Sequence, residues 1–352
     1  MIDWTESMTQ TFEYYIVDPN TWRDKEIIKT IKSSSITWDS SKETLASATF
    51  DLTGTIEECY IRIYLIAIQN GVKYKIVLGT FLVQTPSTTF DGRIDSVSVD
   101  AYSPLLELKE NPPPLGYYVP KNENIMDTAY YIIREQARAP VVKPKCEELQ
   151  HSDFIANTDD TWLSYTSDLI SNARYYLDLD EVGRILFAPK QELSSLQPIY
   201  TFSDDNSSIL QPSITIDKDL FGIPNIIEVI YSDGVNHLFS RVVNDDPNSL
   251  TSTVKRGRNI LKRITNPSFP GVPTQAQIDE YANTSLKSLS ELQCTVSYTH
   301  GYYPIHIGNC VRLNYKRANL IDVKARVISQ QINCSAGCSV TEKAVFTANL
   351  WG

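Results

Sequence analysis

The chain of 352 residues predicts a β-rich α+β protein. Two antiparallel β-barrel domains, at residues 1–110 and 198–352, flank an α/β module at 111–197. Three observations carry that expectation. Alternation of apolar and polar residues with period two dominates both outer stretches, the mark of half-buried strands. Pro112-Pro113-Pro114 cannot donate to a ladder and closes the first stretch. Helical stripes with i, i+3, i+4 spacing appear just beyond those prolines.

In the first stretch, Phe12–Val17 is a strand with imperfect alternation. Ala46, Ala48, Phe50 and Leu52 alternate cleanly. Tyr60–Ile68 and Lys73–Val83 flank Asn70-Gly71, the dipeptide suited to a tight hairpin because both central positions need positive φ. Ile94–Tyr102 alternates again. Five or more antiparallel strands with short turns suggest a small barrel or sandwich.

In the middle module, Glu123–Arg138 reads as a helix with Ile125, Ala129, Ile132, Ile133 and Ala137 on one face. Asn124 and Asp127 form its cap pair, and Pro140 follows its end. A second helix, about Thr161–Leu177, starts at Asp159-Asp160, where the helix dipole favours acids. Its apolar face is Trp162, Tyr165, Leu169, Ala173 and Tyr176. Leu177 and Leu179, a turn at Asp180–Gly183, then Ile185 and Phe187 read as a hairpin.

In the last stretch, Ile214 and Ile216 alternate. Asn225–Ile230 runs to a Ser232-Asp233-Gly234 turn, and Leu238–Val243 returns. Residues 244–293 read as a loop-and-helix insertion, irregular to Pro273. Thr274-Gln275-Ala276-Gln277 has capping-box spacing and opens a helix with Ile278, Tyr281, Ala282, Leu286 and Leu289 in a stripe. The period then drops to two: Cys294, Val296 and Tyr298, a Gly308-Asn309 turn, then Val311, Leu313 and Tyr315. Ile321–Ile332 and Thr341–Leu350 complete the strands.

The net charge is −10, distributed as −5 over residues 1–105, −6 over 106–200 and +1 over 201–352. A chain that grips DNA phosphates shows the opposite sign. The one basic cluster, Lys255, Arg256, Arg258, Lys262 and Arg263, reads as a solvated loop-and-strand edge rather than an anion patch. The N-terminus has neither the basic start nor the apolar core of a secretory signal. The longest apolar run, Tyr60–Ile68, is interrupted by Arg62 and falls short of the ~20 residues of a membrane span. Synthesis and first folding in the cytoplasm are expected. Six cysteines are too few for a disulfide scaffold and read mostly as small buried apolar residues.

Phosphate-cradling glycine loops and the nucleophile-elbow pattern are missing from the sequence. The acidic pairs Glu57-Glu58, Glu147-Glu148, Asp159-Asp160 and Asp245-Asp246 are sequence neighbours, which point to opposite faces in a strand and share no site. The sharpest chemical hypothesis is a metal site from Cys294, His300, His306 and Cys310 with Cys334-x-x-x-Cys338, since thiolate and imidazole suit zinc. The spacing is wrong for a zinc finger, and Cys294 shares the alternating face of Val296 and Tyr298, so packing is favoured. Tyr14-Tyr15, Tyr117-Tyr118, Tyr175-Tyr176 and Tyr302-Tyr303 suit wet protein interfaces better than sugar stacking.

Three segments resemble the central baseplate hub of tailed phages and of phage-tail-like bacteriocins. That family is similar to the hub part of type VI secretion spike proteins. The first is Ile94-Asp95-Ser96-Val97-Ser98-Val99-Asp100-Ala101-Tyr102-Ser103-Pro104-Leu105-Leu106-Glu107-Leu108, like the family's strand ending in Ala-Tyr-Asp and a leucine-rich turn. The second runs from Thr161-Trp162-Leu163 to Phe187-Ala188-Pro189, like the helix leading into a "D-x-x-G-x-L-x-F-x-P" hairpin. The third is Tyr281–Tyr315, preceded by Ile223-Pro224-Asn225-Ile226-Ile227, similar to a "V-P-N-V" strand. Ser103 and Asn309 stand where the family has Asp, both turn-forming replacements. The resemblance implies tail-tube-like barrels and a homotrimeric ring that joins the six-fold tail tube to the three-fold central spike. That ring leaves a channel for DNA passage without specific binding. It further implies a non-enzymatic protein with no catalytic, cofactor or metal residues and no stable membrane insertion. The implied partners are a second and third copy, the tail tube protein, the central spike protein and other baseplate proteins. The implied place is the baseplate, after assembly in the bacterial host cytoplasm. The tyrosines keep a carbohydrate- or receptor-binding tail component as the alternative, with a tail-associated cell-wall hydrolase behind it.

Overall fold

The computed structural model describes residues 2–348 apart from 91, 93–94, 206–208, 268, 270–271 and 290–291. Ile94 and Leu350, ends of two expected strands, lie outside the described residues. The class is β-rich α+β, and the chain forms two compact units, residues 1–214 with 297–344 and residues 215–296 with 345–352.

The first hundred residues form seven strands: β1 (Thr9–Asp18), β2 (Arg23–Ile28), β3 (Ile31–Asp39), β4 (Ala46–Thr53), β5 (Tyr60–Gln69), β6 (Val72–Phe90) and β7 (Asp95–Tyr102). The β5–β6 turn is Asn70-Gly71 with φ of 51° and 77°. This is the left-handed pair the dipeptide was expected to supply. Strands β2 and β3 carry no clean alternating signal and were not expected from the residues. β2 is an edge strand, exposed along nearly its whole length and held by its backbone pairing to β1. β5 is the reverse case, buried on both faces except at Ile68. Gly79 in β6 is required by packing, because a Cβ there would lie 2.4 Å from the Phe81 ring.

The middle of the chain forms α1 (Leu106–Glu110), β8 (Tyr118–Val119), α2 (Ile125–Gln136), β9 (Phe154–Ile155), α3 (Trp162–Ser171), β10 (Tyr175–Leu179) and β11 (Ile185–Pro189). Asn124 caps α2 by accepting from the Asp127 N–H over 2.9 Å, as its spacing predicts. Thr161 and Ser164 close a capping box on α3. The second helix is shorter than its stripe suggests. Arg174 takes φ of 60° and turns the chain, so Tyr176 belongs to β10 instead of the helix face. Ser103 donates to the Thr44 carbonyl over 2.5 Å and accepts from the Leu105 N–H over 3.3 Å. By accepting that N–H it takes the turn-closing part of an Asp carboxylate, while its donation to Thr44 is one a carboxylate could not make.

The remaining elements are β12 (Tyr200–Ser203), β13 (Leu210–Lys218), β14 (Ile226–Ser232), β15 (His237–Val243), α4 (Thr253–Arg256), β16 (Leu261–Thr265) and α5 (Gln275–Leu289). Then come β17 (Leu292–Gly301), β18 (Cys310–Tyr315), β19 (Leu320–Cys334) and β20 (Ser339–Ala348). A 13-stranded sheet runs in the order β13-β17-β20-β19-β3-β4-β7-β6-β5-β1-β2, with β18 on β19 and β12 on β18. Among the described residues that path does not close on itself. The expected pair of separate closed barrels is therefore not seen. Late strands join early ones directly, through antiparallel pairing of β19 with β3 from Ser329–Asp39 to Cys334–Ser34.

The smaller unit holds its own three-stranded sheet, β15-β14-β16. Helix α5 covers one face, where Ile278, Ala282 and Leu286 meet Ile227 and Val229. The Thr274–Gln277 box forms at its start, with the Thr274 N–H donating to Gln277 Oε1 over 2.8 Å. The stretch expected to be irregular contains α4 and β16, the latter parallel to β14. Buried Asn225 fixes that pairing: its Nδ2 donates to the Arg258 carbonyl over 2.9 Å and its Oδ1 accepts the Ile260 N–H over 2.7 Å.

Candidate functional site

The functional feature with the most convergent chemistry is the tip of the β10–β11 hairpin, Asp180–Arg184, within the larger unit. Asp180 shapes the tip: its backbone carbonyl accepts the Gly183 N–H over 2.9 Å, and its carboxylate accepts the Arg184 N–H over 2.8 Å. Gly183 has φ of 84°, and a Cβ there would stand 3.0 Å from Thr80 and 3.1 Å from Trp22. Backbone angle and crowding both demand glycine.

Three donors converge on the Val182 carbonyl: Trp22 Nε1 over 2.8 Å, Thr80 Oγ1 over 2.9 Å and Arg62 Nη2 over 3.1 Å. Arg62 is buried near the start of β5. Its Nε donates to Thr80 Oγ1 over 3.0 Å, and its Nη1 meets Asp24 over 2.9 Å. Tyr64 donates to the other Asp24 oxygen over 2.7 Å. Burial, then Asp24, push the Tyr64 phenol up to about 12, so it stays a donor. A charge inside a strand is costly unless paired and hydrogen-bonded, and each of these groups supplies part of that pairing. The charge that interrupts the longest apolar run is thus the hub of this cluster.

On its other flank the hairpin holds His306. Its Nε2 lies 3.2 Å from Asp178 and its Nδ1 3.4 Å from Glu181, with Trp38 edge-on to the ring at 5.0 Å. Burial opposes the charged imidazole, but the two carboxylates outweigh it and raise its pKa to about 9. Glu181 is in turn held below the usual carboxylate range, burial opposing and His306 prevailing. The His306 N–H donates to Asn309 Oδ1 over 2.9 Å, so Asn309 forms the turn an Asp would form. One hairpin tip therefore ties together β2 (Asp24), β3 (Trp38), β5 (Arg62), β6 (Thr80) and the turn before β18. All of them lie at least 90 residues from the tip in sequence, β2 with β3 and β5 with β6 being chain neighbours of each other.

The other candidate residues scatter. His300 is buried against Phe202, with Nδ1 2.6 Å from the Gly301 carbonyl. Its Nε2 is 3.3 Å from Glu342 but off the line of a hydrogen bond. Glu342 also accepts from Tyr298 over 2.6 Å. Cys294 and Cys310 are buried in strands, and burial raises both thiols. Cys334 and Cys338 sit in the larger unit's core. Among the described residues, no three His, Cys, Asp or Glu side chains gather into a group that could hold a metal ion. Of the residues in this interlock around the hairpin tip, His306 was singled out in the sequence, but as a metal-ligand candidate, while Trp22, Asp24 and Thr80 were not singled out. Arg62 inside an apolar run and Gly183 in the D-x-x-G turn were the signals available. No helix of the described residues is long and apolar enough to cross a membrane.

No protein-family model and no curated protein matches the chain. Solved structures do. A tail protein from Neisseria meningitidis MC58 superposes with a TM-score of 0.64 at 12% identity, covering 97% of this chain and 98% of that one. The 43 kDa tail protein of a Shewanella oneidensis prophage gives 0.63 at 12% identity over 95% and 98%. The Francisella PdpA–VgrG complex gives 0.58 at 10% identity, covering 97% of this chain and 58% of that one. The chain has the fold of phage tail proteins.

Proposed function

We propose that this chain, carrying a tail-protein fold, is a structural hub of a phage tail or tail-like particle. Three copies form a ring that joins the six-fold tail tube to the three-fold central spike and leaves a channel for DNA. One observation carries the reading: the likeness to the two tail proteins spans nearly the full length of both chains in each comparison. In this reading the strands of residues 1–110 and of 198–352 each stand in for one tube subunit, and 111–197 braces them. The interlock supports it, since a joint between symmetries must keep its segments rigid while partners load it. The buried charged groups are engaged with each other as structural ties, in keeping with a non-enzymatic role. The acidic balance upstream of Tyr200 suits a channel through which DNA slides. Tube, spike and other baseplate proteins are the partners proposed, and the baseplate of the particle, assembled in the host cytoplasm, is the proposed place. Sedimentation equilibrium tests the ring. A mass of three chains is expected, and a monomer at every concentration overturns the trimeric hub.

A further inference from the structure

The hairpin joining β19 to β20 carries two free cysteines, Cys334 and Cys338. Two side-chain hydrogen bonds across it fix the register. Asn333 Nδ2 donates to Ser339 Oγ over 3.1 Å, and Gln330 Nε2 donates to Glu342 Oε1 over 2.5 Å. Both bonds join facing residues of one alignment. One step from Asn333 and Ser339 toward the turn brings Cys334 opposite Cys338. Burial agrees: Gln330 and Glu342, Ile332 and Val340, Cys334 and Cys338 are three successive buried pairs on one face.

The Cys338 N–H bonds the Ser335 carbonyl and the Ser335 N–H bonds the Asn333 carbonyl, each over 2.9 Å, so the two cysteines bracket a tight turn. Facing residues of an antiparallel pair have Cα atoms about 4.5–5.5 Å apart, inside the range of about 4.4–6.8 Å that a disulfide bridges, and Cys338, with φ of 36°, ends that pairing at the turn. The Cys338 thiol also senses its neighbour, being raised first by burial and next by Cys334.

We propose that Cys334 and Cys338 are a redox modification site, converted to an intrachain disulfide by a small disulfide of the glutathione class. The thiolate of one cysteine attacks the oxidant's S–S bond, releasing one thiol, which takes up that cysteine's proton. The Sγ of the other cysteine then attacks the protein sulfur of the mixed disulfide. The second thiol leaves with the second proton. One S–S bond forms in the protein, one breaks in the oxidant, and two hydrogens pass from protein to oxidant. Burial pushes Cys334 up to about 11, so little thiolate is present. Both sulfurs are covered, so the reaction waits on local opening of the hairpin. The site is a slow lock, not a fast sensor. It clasps β19 at the end of its pairing with β3, where Cys334 faces Ser34. It stands independently of the hub reading.

The full chain is equilibrated with glutathione at a series of reduced-to-oxidised ratios, in urea below the unfolding transition to speed opening. It is then unfolded, alkylated with iodoacetamide and cut with trypsin. Residues 327–343 lie between Arg326 and Lys343 and form one peptide with both cysteines. At oxidising ratios this peptide is expected with neither cysteine alkylated and two hydrogens lighter, and a reductant restores alkylation. The oxidised chain is expected to melt at a higher temperature than the reduced one. A doubly alkylated peptide at every ratio overturns the proposal. So does stable glutathione attachment, or a bridge from either cysteine to another part of the chain.

Discussion

In the larger unit, a hairpin tip is gripped by a buried arginine, two other donors and a charged histidine, drawn from segments up to 160 residues away. In the smaller unit, a helix lies on a three-stranded sheet through five apolar residues, and charge stays outside. There Glu228 sits between Arg263 at 2.8 Å and Arg241 at 3.9 Å on the sheet face away from α5. Large apolar side chains are also left in solvent, with Phe221 92% and Val235 85% exposed. Polar bonds are directional and costly to leave unmade, so they specify one arrangement of distant segments. Apolar burial is tolerant and suits a unit whose parts are mostly neighbours along the chain.

Arg62→Ala is the most severe way to break that contrast. It strips Asp24 of its cation and takes one donor from the Val182 carbonyl. Removing one partner of a buried pair costs about 3–5 kcal/mol, and the partial exposure of Asp24 puts this loss near the lower end. Hydrogen exchange is expected to quicken across 180–184 and in β2 while 215–296 stays protected. Unchanged protection at the tip would show that the arginine is not the tie.

Ile278→Ala tests the other side. Ile278 is fully buried. A large-to-small change at such a position costs about 2–5 kcal/mol. Its exchange signature is expected in β14, β15 and α5 only. Spread into β5 or β10 would mean that the units do not open separately.

His306 sharpens the comparison through pH. Its pKa rises on folding from 6.5 to about 9. Its stabilisation is therefore complete below about pH 6.5 and lost as pH climbs through about 9. With Glu181 partly exposed, the loss is roughly 2 kcal/mol. Stability measured by denaturant titration is expected to fall across that window, and His306→Ala is expected to flatten the fall. An unchanged slope in the variant would assign the pH dependence elsewhere.

Arg263→Ala has the smallest expected effect. The guanidinium is mostly exposed, and such pairs contribute about 0.2–1 kcal/mol, less in salt. A loss as large as that of Arg62→Ala would mean the outer charges of the small unit are structural after all.

Periodicity along the chain read most elements correctly because local burial writes itself into every second or every fourth residue. The Asn70-Gly71 hairpin, the Asn124 cap, the α5 capping box and the β17–β19 strands are of that kind. Strand β2 escaped because an exposed edge strand leaves no apolar period, and β16 because only Ile264 of its five residues packs inward. Helix α3 was overdrawn because its stripe runs on past Ser171, where the helix ends, and Arg174 with φ of 60° then turns the chain into β10.

Composition, turn chemistry and alternation are properties of residues near one another, so the order of residues alone determined the β-rich class, the helix caps and the hairpins. Which strands became neighbours was decided only in three dimensions. The pairing of β19 with β3 joined two stretches expected to close apart. The convergence of Trp22, Arg62, Thr80 and His306 on one turn depends on distances that sequence spacing does not carry. A backbone carbonyl such as that of Val182 has no side-chain identity at all, so its three donors are visible only once the chain has folded around it.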